Sequence, residues 1–280
     1  MLERHLACLS PSGFHRVAYQ EWPGPPGAPT LICAHGLSRN SRDFDVLAGA
    51  MSQTHRVVCP DMPGRGRSEW LKNPAEYVFP TYLSDCAALI ARLDVEAVDW
   101  VGTSMGALIG MLLAARPGAP IRKLVVNDAG AYVSSEGLNR IGAYLGTGAT
   151  FASVEAMEAA VRRNNAPYGP LTDAQWRKLT RDSGRELPDG RYAFNYDPRL
   201  GDPYKSGPVE DVDLWPFWES VRCPVLVLRG EQSDVLAREV AEAMTDRGPK
   251  ARLVEFAGVG HAPQLLGDDQ IGVVRDFLTG

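Results

Sequence analysis

The clearest chemical signal in the chain is the stretch GTSMG, in which Ser104 stands between two glycines. It follows the apolar, strand-like run AVDWV and precedes the apolar, helix-like run ALIGMLLAA. A serine on a tight strand-to-helix turn presents its hydroxyl to a ligand, and the glycines let the neighbouring elements approach closely. This context favours Ser104 as a nucleophile over its other ordinary role, the N-cap of a helix.

A neutral serine hydroxyl needs a base to take its proton, and the chain has five histidines. His261 lies in the glycine-rich stretch FAGVGHAPQLL after the last predicted strand, where a flexible backbone can deliver an imidazole to the serine. His35 directly follows an apolar strand and is predicted to belong to a loop scaffold. His5, His15 and His55 lie in or just before N-terminal strands, so we expect ordinary surface or half-buried side chains there.

The imidazole in turn needs an acid that orients it, and two aspartates are candidates. Asp234 follows the buried run PVLVLRG and Asp128 ends the run KLVVND, so each leaves a strand at the same edge of the sheet. The chain order serine, acid, histidine holds for both. We favour Asp234 because its loop precedes that of His261 by one strand in the sequence, although Asp234 could also cap the helix that follows it.

Short β-rich runs alternate with longer helical ones, which predicts an α/β fold with a mostly parallel sheet covered by helices on both faces. The predicted strands number eight and lie near residues 6–10, 15–21, 30–34, 55–60, 97–102, 122–127, 224–229 and 252–256. The predicted helices span about residues 42–51, 81–93, 105–115, 235–246 and 269–278.

The alternation stops between residues 131 and 216, where no strand is predicted and helical fragments are broken by Pro-Gly turns. A structureless loop of this length is implausible, so we expect residues 131–216 to form a helical cap or lid, with residues 1–130 and 217–280 forming the core domain. Aromatic residues are frequent in the insertion and at its exit. The predicted pocket residues are Tyr168, Trp176, Trp215 and Trp218. For Arg162 and Arg163 we expect a solvated helix face rather than contact with a substrate carboxylate.

Composition excludes several classes of partner. With 29 Lys and Arg against 34 Asp and Glu, the net charge is −5, and no broad basic surface for nucleic acid or anionic lipid is expected. The N-terminal segment has no long apolar stretch of the kind that a secretory signal needs, so we expect a cytoplasmic protein with a small-molecule substrate. The five cysteines lack metal-ligand spacing, no dinucleotide fingerprint occurs, and we therefore expect catalysis without metal or cofactor.

Five ordered segments together give the chain a recognisable likeness. They are CAHGLS after the third strand, DMPGRGRS after the fourth, VGTSMG after the fifth, LRGEQSD after the seventh and GVGHAP after the eighth. On these segments the chain resembles the α/β-hydrolase fold superfamily over essentially its whole length, and in particular its serine-nucleophile esterases and lactonases. DMPGRGRS is interpreted as a structural turn with a charged rim.

The resemblance implies an oxyanion hole made of two backbone N–H groups, and the matching residues here are Leu37 and Met105. It also implies hydrolysis of a small carboxylic ester or lactone through an acyl-serine intermediate. Two alternatives remain open: cleavage of a carbon–carbon bond or an enol-lactone in an aromatic ring-cleavage product, and a ligand receptor that binds without turnover.

Overall fold

One eight-stranded sheet organises the chain, whose computed structural model describes residues 1–205 and 209–280. Its strand order is β1-β2-β4-β3-β5-β6-β12-β13. Strand β2 runs antiparallel to both of its neighbours, β1 and β4, and the six strands that follow β2 in this order run parallel to one another. These strands are β1 Leu2–Ser10, β2 Gly13–Trp22, β3 Thr30–Ala34, β4 Arg56–Pro60, β5 Val98–Thr103, β6 Ile121–Asn127, β12 Val225–Gly230 and β13 Arg252–Phe256. The predicted α/β fold and all eight predicted strands are confirmed.

Helices cover both faces of this sheet. The helices are α1 Asp45–Met51, α2 Phe79–Arg92, α3 Met105–Ala114, α4 Ser135–Tyr144, α5 Val154–Asn164, α6 Asp173–Ser183, α7 Asp202–Lys205, α8 Trp215–Trp218, α9 Arg238–Asp246 and α10 Asp268–Thr279. Successive buried residues of the central strands alternate between two hydrophobic clusters, one shared with α2, α3 and α9 and the other with α1 and α10. Burial on both faces explains why these strands read as nearly continuous apolar runs.

The insertion between β6 and α8 contributes no described residue to the large sheet. It contains α4 to α7 and five short strands: β7 Tyr132–Val133, β8 Thr150–Phe151, β9 Gly184–Glu186, β10 Tyr192–Phe194 and β11 Val212–Asp213. Strands β8, β10 and β9 form a small antiparallel sheet, and β11 pairs with β7. The expectation that this stretch holds no strand is therefore wrong. Strands of two or three residues are too short to produce a recognisable alternation of apolar and polar side chains in the sequence.

Cys8, Cys33, Cys59 and Cys86 are buried and Cys223 is partly buried, all as free thiols. Among residues 1–205 and 209–280, no helix has the length and apolar character that crossing a membrane requires.

Close packing explains the two glycines around Ser104. A Cβ atom on Gly102 would lie 2.2 Å from the Gly106 carbonyl oxygen, and one on Gly106 would lie 2.0 Å from the Ala34 carbonyl oxygen. Contacts this short do not occur between real atoms, so β3, β5 and the start of α3 reach their observed spacing only because both side chains are absent.

This packing predicts that Gly106→Ala destabilises the protein by about 2 kcal/mol or more, because backbone atoms must move to admit the methyl group. Gly49→Ala in α1 is the matched control, since a Cβ there meets nothing within 4 Å. It should leave stability unchanged or raise it by up to about 1 kcal/mol through better helix propensity. Urea unfolding followed by circular dichroism measures both; equal effects would contradict this explanation of the glycines.

Candidate active site

Ser104 occupies the turn between β5 and α3 in a strained backbone conformation, with φ 52° and ψ −118°. A non-glycine residue with positive φ is uncommon and is tolerated only where surrounding structure holds it. Here the Ser104 N–H donates to the Asn127 carbonyl oxygen at 2.9 Å. The serine side chain makes no N-cap hydrogen bond to α3, which leaves its hydroxyl available to other groups.

That hydroxyl meets an imidazole. The Ser104 Oγ–H lies 3.0 Å from His261 Nε2, and His261 Nδ1–H donates to Asp128 Oδ2 at 2.7 Å. Because a carboxylate only accepts, the proton sits on Nδ1 and Nε2 is free to accept the serine proton. The three side chains thus form a continuous hydrogen-bonded chain across 157 residues of sequence.

Asp128 is fully buried and well satisfied in this arrangement. Its Oδ1 accepts the Gly230 N–H at 2.8 Å, and its Oδ2 accepts the Ser233 hydroxyl at 2.6 Å as well as the imidazole N–H. A buried carboxylate without such donors would be costly. These bonds fix the side chain in one orientation toward His261.

The prediction that Asp234 orients His261 is wrong. Asp234 lies at the surface and forms an ion pair with Arg140 of α4, with Arg140 Nη2 donating to Asp234 Oδ1 at 3.0 Å. The alternative role of Asp234 as a helix cap is not observed either, since Ser233 Oγ accepts the N–H groups of Val235 and Leu236. Asp128 is the residue that orients His261 because β6 lies between β5 and β12 in the sheet. The loop after β6, which carries Asp128, therefore emerges between the loop of Ser104 and the loop of His261.

Leu37 and Met105, the predicted oxyanion donors, flank the serine. Met105 is the first residue of α3, and Gly36 and Leu37 line the same cavity as Ser104, so close that a Cβ added to Gly36 would lie 3.6 Å from Ser104 Cβ. In the part of the chain that the structure describes, no hydrogen bond of the Leu37 or Met105 N–H to another protein group is found. Both N–H groups are thus available to an oxygen beside Ser104.

Arg65 supports both of these residues. Its Nε donates to the Leu37 carbonyl at 2.8 Å, and its Nη2 lies 3.6 Å from Met105 Sδ. The side chain is fully buried, stacks over the rings of Tyr77 and Tyr82, and forms no salt bridge with a described carboxylate. The interpretation of DMPGRGRS as a turn with a charged rim therefore misses its main feature: this arginine packs underneath the site.

His35 acts in the same scaffold, as predicted. Its Nδ1–H donates to the Gly36 carbonyl at 2.7 Å and its Nε2 accepts the Met62 N–H at 2.9 Å. Complete burial lowers the pKa of His35 to about 4, so the imidazole stays neutral at pH 7. Only the neutral form can accept the Met62 N–H, and this bond ties the Leu37 loop to the Arg65 loop.

Two cavities meet at Ser104, Leu37 and Ile141. The larger has a volume of about 440 Å³ and is lined mainly by apolar side chains, including Phe79, Leu108 and Val133; we call it the apolar arm. The smaller, the polar arm, has a volume of about 50 Å³. Its polar lining consists chiefly of Arg39, Asp43, Arg140, Tyr144, Asn164, Asn165, Tyr168 and His261.

Of the predicted pocket residues, only Tyr168 lines either arm. Trp176 is buried behind it and stacks on the Tyr168 ring at 6.5 Å. Trp218 is fully buried in the core, where its Nε1–H donates to the Arg247 carbonyl, and Trp215 packs against the Arg247 guanidinium. The prediction is wrong for these three tryptophans because large aromatic side chains fill cores as readily as pockets.

Sequence reasoning did not single out Arg39, Arg140 or Tyr144. Arg140 and Tyr144 are four residues apart on α4, a spacing that places two side chains on one helix face and that could have indicated a shared surface. Arg162, in contrast, bonds Glu158 and Asp173 and lines neither arm, in agreement with its expected position on a helix face.

Among the described residues, one group of three side chains with closely spaced metal-type donors is found, and it lies away from Ser104. Cys8, His15 and Asp85 are buried with their donor atoms within 4.8 Å of one another, and His15 Nε2 lies 2.9 Å from Asp85 Oδ2. They belong to β1, β2 and α2, at the antiparallel edge of the sheet, whereas Ser104 follows the central strand β5. This cluster does not contact the serine site.

With the geometry established, comparison with known proteins identifies the family. Residues 31–275 match the family model described as the alpha/beta hydrolase family. The chain belongs to this family. The relatives that it matches over its full length are hydrolases, and the chain is accordingly a hydrolytic enzyme.

Three relatives cover nearly the whole chain. A 3-hydroxybutyrate-oligomer hydrolase from Cupriavidus necator is 46% identical over 283 residues, which is 98% of this chain and 97% of that protein. An alpha/beta hydrolase structure from Novosphingobium aromaticivorans is 36% identical with a TM-score of 0.90, covering 99% of this chain and 98% of its own. A putative hydrolase structure from Rickettsia typhi is 30% identical with a TM-score of 0.93, covering 100% and 99%.

The geometry predicts a clear ranking of two isosteric variants. Asp128→Asn keeps the shape but favours the wrong imidazole tautomer, so turnover of a simple ester should fall by about 10⁴-fold. Asp234→Asn removes only a surface ion pair and should stay within about tenfold of wild type. Steady-state kinetics on p-nitrophenyl butyrate, with circular dichroism to match folding, decides this, and a reversed ranking would contradict the assignment of Asp128.

Proposed function

We propose that this hydrolase cleaves short-chain esters of hydroxy acids, with linear oligomers of 3-hydroxybutyrate as its substrate class. The observation that carries the proposal is the hydrogen-bonded chain from Ser104 through His261 to Asp128, next to two available backbone N–H groups. The 46% identical 3-hydroxybutyrate-oligomer hydrolase supports the choice of substrate, because that similarity extends over nearly the full length of both chains.

Acylation begins at Ser104. Its Oγ attacks the ester carbonyl carbon while His261 Nε2 takes the hydroxyl proton, and Asp128 holds the imidazole in the tautomer that permits this. The carbonyl oxygen becomes an oxyanion that the Leu37 and Met105 N–H groups stabilise; each such donor is worth roughly 100- to 1000-fold in rate. His261 then gives its proton to the departing alkoxide oxygen, which leaves as an alcohol.

Deacylation repeats these roles with water. His261 takes a proton from a water molecule whose oxygen attacks the acyl-serine carbonyl, and the second oxyanion occupies the same two N–H groups. Collapse of this intermediate returns the proton to Ser104 Oγ and releases a carboxylic acid. The full cycle consumes one water and yields one alcohol and one acid, so these residues need no additional reactant.

Residues 131–216 are proposed to act as the lid of this site. Arg140, Tyr144 and Tyr168 in the polar arm and Val133 in the apolar arm all come from this segment. It also touches the histidine loop, since the Gly260 N–H donates to the Pro167 carbonyl at 2.6 Å. The shape of both arms therefore depends on how this segment packs over Ser104.

The proposal predicts that the wild-type enzyme hydrolyses the linear 3-hydroxybutyrate dimer and that Ser104→Ala abolishes this turnover. The variant should retain its fold, because removing a partly exposed hydroxyl opens little core volume. Titration of the released acid against a panel of the dimer, a β-lactone and a ring-fission diketone provides the measurement. Preferred turnover of the lactone or the diketone would overturn the oligomer proposal and leave the serine assignment intact, whereas full activity in Ser104→Ala would overturn both.

A further inference from the structure

The polar arm and the apolar arm lie against different groups of the catalytic site. Both are lined by Ser104 and Leu37, but His261 lines only the polar arm and Met105 only the apolar arm. The departing alkoxide must lie near His261, because it takes the imidazole proton. The leaving group of an ester at Ser104 therefore belongs in the polar arm, and the acyl chain belongs in the apolar arm.

We propose that the polar arm binds the free carboxylate of the substrate through Arg140, so that the acid-terminal hydroxyacyl unit is the one released as the alcohol. This inference rests on the proposed function and specifies its direction. Hydrolysis at this bond would remove one hydroxy acid at a time from the acid end and leave the shortened acyl chain on Ser104.

Charge distribution supports this direction. None of the described residues that line the apolar arm carries a charged side chain, so a carboxylate there would lose its hydration without compensation. The polar arm holds Arg39, Asp43 and Arg140, of which the first two pair with each other at 2.6 Å. Arg140 is the remaining arginine of this arm, and its partner Asp234 does not line the arm.

Of the two arginines, Arg140 is better placed to bind a substrate carboxylate. Arg39 is buried, its Nε and Nη2 bind Asp43, and its Nη1 donates to Ser183 Oγ at 2.6 Å, so all three nitrogens already serve the fold. Arg140 binds Asp234 through Nε and Nη2 but not through Nη1, and the Tyr144 hydroxyl lies within hydrogen-bonding reach of the same guanidinium. Its ion pair is about one-third exposed on both sides, so it contributes little and yields readily to a second carboxylate.

Two phenols complete the site. Tyr144 lies one turn after Arg140 on α4, and Tyr168 enters the same arm from the short helix Ala166–Tyr168. Burial raises the pKa of both hydroxyls above their usual value, so each keeps its proton at neutral pH and can donate to a carboxylate oxygen. A guanidinium with two neutral donors is an arrangement suited to a monocarboxylate.

The test compares the 3-hydroxybutyrate dimer with its methyl ester, in which the free carboxylate is replaced by a neutral ester. Only cleavage of the bond between the two units is counted, seen for the methyl ester as release of methyl 3-hydroxybutyrate. Wild type should prefer the acid. Arg140→Gln should lose roughly 10- to 100-fold in kcat/KM on the acid, mainly through KM, and less than about threefold on the methyl ester. Asp234→Asn should lower KM for the acid, because it removes the carboxylate that competes for Arg140.

Arg191→Gln is the matched control. Arg191 also belongs to the insertion and also pairs with an aspartate, Asp189, at 2.7 Å, but it lines neither arm. Its kinetics on both dimers should equal those of wild type. An equal loss on acid and methyl ester in Arg140→Gln would assign Arg140 a purely structural role and overturn the inference.

A trimer labelled with ¹³C in its acid-terminal unit tests the direction of cleavage. The first monomer released should carry the label, and release of unlabelled monomer first would contradict the proposed orientation. The outcomes also separate the two proposals. If wild type cleaves the dimer and its methyl ester equally well, only the carboxylate site fails; if it cleaves neither but still cleaves p-nitrophenyl butyrate, the oligomer function fails and the inference fails with it.

Discussion

The buried carboxylate of Asp128 is the interaction on which the site depends. It accepts hydrogen bonds from Gly230 at the end of β12, from Ser233 in the loop that follows, and from His261 after β13. Two loops, after β12 and β13, are thereby fixed to one side chain that is carried by a third loop, after β6. Since the carboxyl ends of parallel strands meet at the same edge of a sheet, the fold brings these loops together and the carboxylate sets their mutual orientation.

Close packing holds the turn that carries Ser104. Gly102 and Gly106 allow β3, β5 and α3 to pack so closely that Ser104 is forced to positive φ. Arg65 and His35 then fix the chain around Leu37 from below. The backbone around the serine is thus held in place by hydrogen bonds and close packing in the absence of substrate, which is the arrangement that an oxyanion hole requires.

Much of this could be predicted from the sequence, because buried parallel strands and a glycine-flanked serine leave strong local patterns. The acid could not be assigned in that way. Asp234 and Asp128 both follow strands, and the choice depends on β6 lying beside β12, which is a property of strand order and leaves no mark in either loop. Arg65 was misjudged for a related reason: a charged residue in a loop is expected at the surface, and only the tertiary structure reveals the carbonyl groups and rings that let it be buried.

The structure of residues 131–216 was even harder to predict from the sequence. Its strands are two or three residues long, and its aromatic residues divide between the pocket and the core according to how the segment packs. The shape of the polar arm therefore involves contacts between residues distant in sequence, such as Arg140 with Asp234. Local patterns of hydrophobicity carry little information about such contacts.

We propose that Ser104, activated by His261 and Asp128, forms a covalent acyl intermediate with a hydroxyacyl oligomer. Acid quenching within milliseconds of mixing enzyme with the 3-hydroxybutyrate dimer, followed by peptide mass spectrometry, detects this intermediate. We expect one hydroxybutyryl group on the peptide that contains Ser104, lost again on longer incubation and absent in Asp128→Asn over the same interval. Steady turnover of the dimer with no such adduct, or an adduct on a different residue, would contradict it.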